Sequence, residues 1–392
     1  MRVRERIKHR CWNGILILAL VMNVLTSSQA MAQNISEPPS VQAKAAELID
    51  ANSGQVLFSK NARQKLPMAS VTKLMTLYLA VKAIESHQVR LSDWVPADET
   101  AYRIKGSQIW LEPGERLSVD QMLKAIAVGS ANDAAYALGS YLAGSEAAFV
   151  QRMNQTAQHL GMHDTHFTNS HGLHAPDHYT SAHDLALLSQ HAVKMPLLLH
   201  YTSMWEDRSI RNGKGGTLWL VNHNRLLKQY PGADGLKTGF TNEAGYCLAA
   251  TARQNNTRMI VTLLGEPTGK ARIQDASALM SWGFQNFLTT PIVKAHEVLG
   301  RVRVLRGTKP YVDAIVGQNV AITRSLFEGR VESEKSLMDQ VTAPIMQGQV
   351  LGYLTVKTQN HVIRRIPVRA QEQVPKITLT ALAWRYLWKL FA

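Results

Sequence analysis

Three short motifs contain the residue types that nucleophilic catalysis requires. They are Ser70-Val71-Thr72-Lys73, Ser130-Ala131-Asn132 and Lys237-Thr238-Gly239. A serine hydroxyl attacks poorly until a base removes its proton. A lysine becomes such a base when burial or a neighbouring positive charge lowers its pKa. We therefore predict that Ser70 is the nucleophile and that Lys73, one helical turn away on the same face, is its base.

The second and third motifs would complete this chemistry. Lys237 would place another positive charge near Lys73, which favours the neutral form of Lys73. Ser130 would pass a proton to the leaving nitrogen, and Asn132 would hold Lys73 together with an amide of the substrate. These roles predict that the three motifs meet at one site, although they are far apart in the chain.

The Lys-Thr-Gly motif also has the properties of a peptide-binding strand. At the edge of a sheet, residues 237–239 would offer backbone groups to an extended peptide, and Gly239 would let that peptide approach closely. The backbone N–H groups of Ser70 and Phe240 are our candidates for an oxyanion hole, which stabilises the charge that develops on the attacked carbonyl.

The surrounding sequence predicts the elements that hold these residues. A strand–turn–strand pattern comes first, helices with apolar residues at helical spacing follow, and strands then return. Predicted helices cover Val71–Glu85, Val119–Ala127, Ala134–Leu142 and Ala271–Phe287, and predicted strands cover Ala45–Asp50, Gln55–Ser59, Tyr246–Ala252 and Met259–Leu264. Strands at both ends with helices between them indicate an α+β domain in which the first and last strands share one sheet.

The pattern changes near Pro291. Short β-like runs occupy residues 301–307, 319–324, 350–356 and 361–370, and turn residues separate them. This alternation predicts a second, small, antiparallel β domain. Residues 371–376 then link it to the C-terminal segment.

The N-terminus has the features of an export signal. Basic residues up to Arg10 precede an apolar run from Gly14 to Leu25, and the sequence Ala30-Met31-Ala32 follows. This order predicts a signal peptide over 1–32 that is cleaved after Ala32. An uncleaved membrane anchor is the alternative, and either one predicts that the rest of the chain is exported.

The C-terminus, residues 377–392, mixes apolar, aromatic and basic residues (ITLTALAWRYLWKLFA). As a helix it would reach about 24 Å, which is short for a hydrocarbon core of about 30 Å. Its composition favours an amphipathic helix lying in the membrane interface. A terminal helix docked on the protein's own core is the alternative.

The overall composition limits the classes of partner. The chain has 392 residues, of which 45% are hydrophobic and 18% charged, and its formal net charge is +14. These values exclude a disordered chain, and the single long apolar run excludes a polytopic membrane protein. The basic residues are scattered, and their charge alone fits an anionic membrane surface or polymer as well as DNA. Together with the predicted export and the C-terminal segment, it leads us to expect an anionic membrane surface and an anionic polymer as partners, and no nucleic acid. Cys11 lies in the predicted signal peptide, so the mature chain would hold one free thiol, Cys247, with no predicted role.

The motifs, in this order, resemble those of the penicillin-interacting serine enzymes. Longer stretches are similar to the low-molecular-mass D-alanyl-D-alanine carboxypeptidases: Gln55–Met75, Gly106–Glu115, Asn169–Leu173 and Asp234–Thr241. The resemblance covers essentially residues 41–392. It implies a catalytic domain over 41–288 with a β-lactamase/DD-peptidase-like fold, an antiparallel sheet flanked by helices. It further implies a small β domain over 297–370 and an anchoring helix over 377–392.

The resemblance implies a serine carboxypeptidase that removes the terminal D-alanine from peptidoglycan pentapeptides, with no metal or cofactor. Ser70 would carry the acyl group, and β-lactams would acylate it in the same way. Thr238 and Arg272 match positions that hold the substrate's terminal carboxylate in relatives. Two positions depart from the family pattern. Phe240 stands where relatives often have His, which puts substrate preference in doubt, and Ala131 stands where Gly is common.

The sequence is also compatible with other functions. A β-lactamase, a D,D-endopeptidase and a non-catalytic cell-wall scaffold would share much of the fold. Nine of the 14 histidines lie between His159 and His200, which allows a metal site, but no H-E-x-x-H motif is present. The simpler interpretation of that stretch is exposed histidines on the surface.

Overall fold

The computed structural model describes residues 35–211, 216–327, 329–358, 361–378 and 380–381. The predicted signal peptide and most of the predicted terminal helix lie outside the described residues. The chain divides into two units, Met1–Ser36 and Glu37–Ala392. All the helices and strands of the described residues belong to the second unit. Within the part of the chain that is described, no helix is long and apolar enough to cross a membrane.

In its described residues, the N-terminal part of this unit alternates strands with nine α-helices. The strands are β1 Ala45–Asp50, β2 Val56–Lys60, β3 Leu66–Pro67, β4 Trp94–Pro96, β5 Arg116–Ser118, β6 Tyr179–Thr180, β7 Glu206–Asp207, β8 Leu220–Val221, β9 Ala233–Thr241, β10 Gly245–Gln254 and β11 Thr257–Glu266. The helices among the described residues are α1 Lys73–Glu85, α2 Glu99–Arg103, α3 Val119–Ala127, α4 Asn132–Ala143, α5 Glu146–His159, α6 Ala182–Ala192, α7 Pro196–Ser203, α8 Leu226–Gln229 and α9 Gly269–Asn286.

A five-stranded antiparallel sheet forms the middle layer, in the order β2-β1-β11-β10-β9. Strand β1 pairs with β11, which confirms that the first and last strands share a sheet. All six residues of β1 are buried because helices cover both faces. Along β10 the side chains alternate between the two apolar cores. Cys247 and Ala249 face the larger helical layer, whereas Leu248 and Ala250 face α9.

Local signals explain where the helices begin. Helix α3 starts at a capping box, in which the side chain of Ser118 accepts from the N–H of Gln121 and the side chain of Gln121 accepts from the N–H of Ser118. Thr268 caps α9 by accepting from the N–H of Ala271. The helix that we predicted over Val71–Glu85 is interrupted at its start, because Ala69–Thr72 forms a 3₁₀ turn and the α-helix begins at Lys73.

The C-terminal part is built from strands. They are β12 Phe287–Val293, β13 Val298–Leu305, β14 Tyr311–Ile315, β15 Val320–Ser325, β16 Val331–Leu337, β17 Gln340–Thr342, β18 Val350–Thr358 and β19 His361–Ala370. Strands β12 and β15 form one ribbon, and a six-stranded sheet has the order β16-β18-β19-β14-β13-β17. The pairing is antiparallel except between β13 and β17, which run parallel over three residues. A separate apolar core fills this part.

Candidate active site

Ser70 lies in the 3₁₀ turn that leads into α1, at the end of a short irregular segment. The turn packs tightly against the 169–173 loop. A Cβ atom on Gly172, which has φ of +90°, would lie 2.1 Å from the carbonyl oxygen of Ala69. Only glycine fits there, so Gly172 lets the loop close over the base of the nucleophile turn.

Lys73 is fully buried at the first position of α1 and has three polar neighbours. Its Nζ atom lies 2.9 Å from Ser70 Oγ and donates to Asn132 Oδ1 at 2.6 Å and to the carbonyl oxygen of His171. The last two are acceptors only. A neutral amine has two N–H bonds and one lone pair, so its hydrogens occupy these two acceptors and its lone pair faces the hydroxyl of Ser70.

The electrostatics favour that neutral form. Burial, and then the positive charge of Lys237, hold the pKa of Lys73 well below its usual range, and Asp133 opposes the shift only in part. Ser70 therefore has a base within hydrogen-bond distance that is able to accept its proton.

Asn132 is held in one orientation. Its Nδ2 atom donates to the carbonyl oxygen of Lys105 at 2.6 Å, so its Oδ1 atom is the one that faces Lys73. Its backbone N–H donates to the carbonyl oxygen of Ser107 at 2.7 Å. The next residue, Asp133, is also buried and accepts from the N–H groups of residues 109 and 111. The loop over 105–111 is thus attached to the start of α4 at four points.

Lys237 and Ser130 form the second half of the site. Lys237 is buried on β9, and its Nζ atom donates to Ser130 Oγ at 2.9 Å and to the carbonyl oxygen of Thr238 at 3.0 Å. Burial, and then the charge of Arg272, lower the pKa of Lys237 to about 7. Ser130 has a left-handed backbone with φ of +58°, a conformation that is uncommon for residues other than glycine.

The Lys-Thr-Gly strand passes directly beside the nucleophile. Strand β9 is at the edge of the sheet and pairs with β10 on one side only, as the sequence predicted. A Cβ atom on Gly239 would lie 2.9 Å from the backbone nitrogen of Ser70, so the absence of a side chain allows the two segments to meet. Phe240 is 50% exposed, and its ring lies 4.4 Å from that of Tyr246.

Arg272 is buried, with 8% of its surface exposed, and is therefore not a solvated arginine at a helix start. Its Nη1 atom donates to the carbonyl oxygens of Gly239 and Cys247, both at 3.4 Å. Its guanidinium lies 5.5 Å from the centre of the Tyr246 ring. These contacts place the positive charge of Arg272 beside strand β9. This strand carries Thr238, which was predicted to bind the substrate's terminal carboxylate.

Comparisons with known proteins identify the family of the chain. Residues 32–268 match the family Peptidase S11, described as D-alanyl-D-alanine carboxypeptidase, and residues 287–376 match the C-terminal domain of penicillin-binding protein 5. The chain belongs to the S11 family of D-alanyl-D-alanine carboxypeptidases. It is 38% identical over 337 residues to the D-alanyl-D-alanine carboxypeptidase DacF of Bacillus subtilis, and the match covers 86% of each protein.

Solved structures in the same group show the fold. Penicillin-binding protein 5 from Haemophilus influenzae aligns with a TM-score of 0.77 and 30% identity, covering 87% of this chain and 100% of that one. Penicillin-binding protein D2 from Listeria monocytogenes, in an ampicillin-bound form, aligns with a TM-score of 0.56 and 33% identity, covering 63% of this chain and 100% of that one. The predicted family and the predicted α+β fold with a C-terminal β domain are confirmed.

Several residues of this S11 site were not predicted from the sequence. The carbonyl oxygen of His171 binds Lys73, and Asp133 fixes the neighbouring loop. On the back of the sheet edge, Arg258 forms a bidentate ion pair with Asp234, both bonds being 2.7 Å long, which fixes the strand before Lys237. The Asn169–Leu173 stretch was noted for its family likeness, but no residue type in it signals a carbonyl ligand.

Five of the nine histidines between His159 and His200 are exposed, as expected, and one is buried. His178 is buried, its Nε2 atom lies 2.8 Å from Thr72 Oγ1, and its Nδ1 atom accepts from the N–H of Thr168. Burial and nearby positive charges lower the pKa of His171 to about 3 and that of His178 to about 4. Among the described residues, no three His, Cys, Asp or Glu side chains are placed to hold a metal ion.

Proposed function

We propose that this protein is a serine-type D-alanyl-D-alanine carboxypeptidase that removes the terminal D-alanine from peptidoglycan pentapeptides. The observation that carries the proposal is the geometry at Lys73, whose Nζ atom lies 2.9 Å from Ser70 Oγ and contacts two other acceptors, so that the neutral amine would turn its lone pair toward Ser70. Family membership supports the substrate, since the S11 match is described by this activity.

Acylation would begin with proton transfer from Ser70 Oγ to Lys73 Nζ, followed by attack of the oxygen on the penultimate D-alanine carbonyl. Ser130, which accepts a hydrogen bond from Lys237, would then give its proton to the leaving nitrogen and be reprotonated by Lys237. Cleavage of the C–N bond releases D-alanine and leaves an ester on Ser70. At this point Lys73 carries the proton of Ser70 and Lys237 has lost one, so a proton passes through solvent from Lys73 to Lys237. The neutral Lys73 then takes a proton from the water that attacks the ester and returns it to Ser70 Oγ as the tetrapeptide leaves.

Substrate selection would rest on the terminal carboxylate. Thr238 on the edge strand and the buried guanidinium of Arg272 lie on adjacent segments, and a carboxylate there would pair with the positive charge. An internal peptide bond lacks this carboxylate, so its cleavage is expected to be slow.

β-Lactams would acylate the same serine, because their strained amide replaces the D-alanyl-D-alanine bond. The ampicillin-bound form of the Listeria protein supports this part of the proposal. The basic, apolar N-terminus and the amphipathic segment 377–392 support export and attachment to the outer face of the bacterial cytoplasmic membrane, where the enzyme would take part in peptidoglycan maturation and cell shape.

Two measurements test the activity. D-Alanine release is measured from a pentapeptide and from its tetrapeptide product, and fluorescent penicillin is used to label the protein, with the labelled peptide mapped by mass spectrometry. We expect release from the pentapeptide only, label on Ser70, and loss of both in Ser70→Ala. Label on another residue, or release that persists in Ser70→Ala, would refute the mechanism.

Membrane attachment has its own test. The protein lacking residues 377–392 is compared with the full chain by sedimentation with membranes of the expressing cell. Attachment through this segment predicts that the truncated protein stays in the soluble fraction. If it sediments like the full chain, another part of the protein binds the membrane.

A further inference from the structure

A cavity of about 680 Å³ is lined in part by Arg272, which connects it to the candidate active site. Its walls come from the start of α9, from the segment before α8 and from β10, and they include His223, Arg225, Tyr246, Gly269, Lys270 and Arg272. This volume is in the range of small-molecule sites and exceeds what the methyl side chain of a terminal alanine requires.

The walls of this cavity are cationic. Neither Arg225 nor Lys270 forms an ion pair with an acidic side chain of the described residues, and both are exposed. Arg272 is buried, and its Nε atom has no hydrogen-bond partner among those residues. Glu266 is the acid that acts on the pKa of Arg272, and its own pKa is raised to about 8 by burial and by Asp275, so it offers Arg272 little negative charge at pH 7.

The backbone adds to this positive potential. Helix α9 has 18 residues and begins at Gly269, in the cavity wall. The N-terminus of a helix carries unpaired N–H groups and a partial positive charge, which favour an anion. With Arg272 assigned to the α-carboxylate, a second anion in the cavity would meet two exposed cationic side chains, Arg225 and Lys270, and a helix N-terminus.

The cavity adjoins the proposed carboxylate site. Arg272 lines it and also donates to the carbonyl oxygen of Gly239, next to Thr238. His223, at the same wall, is close enough to the catalytic lysines that partial desolvation and the charges of Lys237, Arg272 and Lys73 lower its pKa to about 4. If the α-carboxylate of the leaving residue lies at Arg272, the side chain, which branches from the adjacent Cα atom, would extend toward this cavity.

We propose that this cavity is a subsite for the side chain of the leaving residue and that it accepts a second carboxylate, as in a terminal D-glutamate. The inference rests on the proposed function and extends its substrate class. The reaction is the same hydrolysis. The D-alanyl carbonyl moves to Ser70, the leaving nitrogen gains a proton, and water then frees the tetrapeptide. Arg225 and Lys270 would act by binding and would not touch the reacting bond.

The test uses two pentapeptides that differ in the last residue, D-glutamate or the uncharged and nearly isosteric D-glutamine. Amino acid release gives kcat/KM for each, and the ratio of the two values is independent of how much of a preparation is folded. We expect a ratio of about tenfold for the unmodified protein, falling to about threefold in Lys270→Gln and in Arg225→Gln, since each charge contributes a few-fold. Lys294→Gln, an exposed lysine of the β domain, is the matched control and should leave the ratio unchanged.

The outcomes separate the two proposals. Release of D-alanine from the ordinary pentapeptide tests the proposed function by itself. If D-alanine is released but the D-glutamate to D-glutamine ratio is near one, the subsite is refuted and the carboxypeptidase stands. A high ratio that survives in both variants would also overturn the assignment, because the cavity cations would then have no part in it.

Discussion

The Nζ atom of Lys73 lies 2.9 Å from the Oγ atom of Ser70, and its other two polar neighbours are both acceptors. Burial and the charge of Lys237 lower the pKa of Lys73, and in the neutral amine this geometry turns the lone pair toward the serine hydroxyl. The amine hydrogens are already engaged, so the serine hydroxyl meets the lone pair.

Replacing Lys73 by Ala should remove the base that accepts the proton of Ser70. We expect the rate of acylation by fluorescent penicillin to fall by about 10²- to 10⁴-fold, the usual contribution of a general base. Lys82→Ala is a suitable control, because Lys82 is on the same helix but is exposed. A Lys73→Ala protein that is acylated at a near-normal rate would mean that another group activates Ser70.

The pH dependence of kcat/KM for D-alanine release should reflect the protonation state of Lys237. Its pKa of about 7 means that it loses its proton as the pH rises through neutrality, and the relay to the leaving nitrogen through Ser130 then lacks its donor. We expect kcat/KM for D-alanine release to decline above pH 7. In Lys237→Arg the decline should move to a much higher pH, because arginine stays protonated. If the decline above pH 7 is unchanged in this variant, a group other than Lys237 causes it.

Gly239 should tolerate no side chain. The Cβ atom of Gly239→Ala would lie 2.9 Å from the nitrogen of Ser70 and 3.0 Å from the carbonyl oxygen of Met68, both backbone atoms that have to move. A shift of these backbone atoms would misplace Ser70, so we expect acylation to slow by about 10²-fold. Gly317→Ala, which would meet no atom within 4 Å, is the control and should acylate normally. If both variants are acylated at the same rate, the 3₁₀ turn around Ser70 accommodates the added methyl group without loss of activity.

The residues whose type and spacing carry information were predictable from the sequence. Ser70 and Lys73 are one helical turn apart, and strong helical periodicity follows them, so their contact could be expected. Lys237 was expected on an edge strand because of the peptide-binding properties of its Lys-Thr-Gly motif, whereas the strand pattern alone did not predict β9. The α+β order followed from strands at both ends of the first domain.

The remaining features depend on long-range packing. The carbonyl oxygen of His171 binds Lys73, but every residue has a carbonyl group, so no residue type could signal it. Arg272 is buried because Tyr246 and the ends of β9 and β10 cover it, whereas local sequence indicates only a helix start. His178 is buried because Thr72 lies opposite its ring, over a hundred positions earlier in the chain.

Glu266 should make the protein less stable as the pH rises. It is fully buried at the end of β11, and burial together with Asp275 raises its pKa from 4.5 to about 8. Below pH 4.5 the carboxyl group is protonated in both the folded and the unfolded chain. Between pH 4.5 and 8 the folded chain binds more protons than the unfolded chain, so the free energy of unfolding falls with rising pH and levels off above about 8.

Glu266→Gln removes this titration while keeping the size of the side chain. Urea unfolding at several pH values, followed by tryptophan fluorescence, should show a shallower decline between pH 5 and 8 for this variant than for the unmodified protein. Glu85→Gln, an exposed position at the end of α1, should keep the original slope. If Glu266→Gln also keeps it, the carboxyl group of Glu266 is already ionised in the folded protein near pH 5, and Arg272 would then have an anionic neighbour at neutral pH.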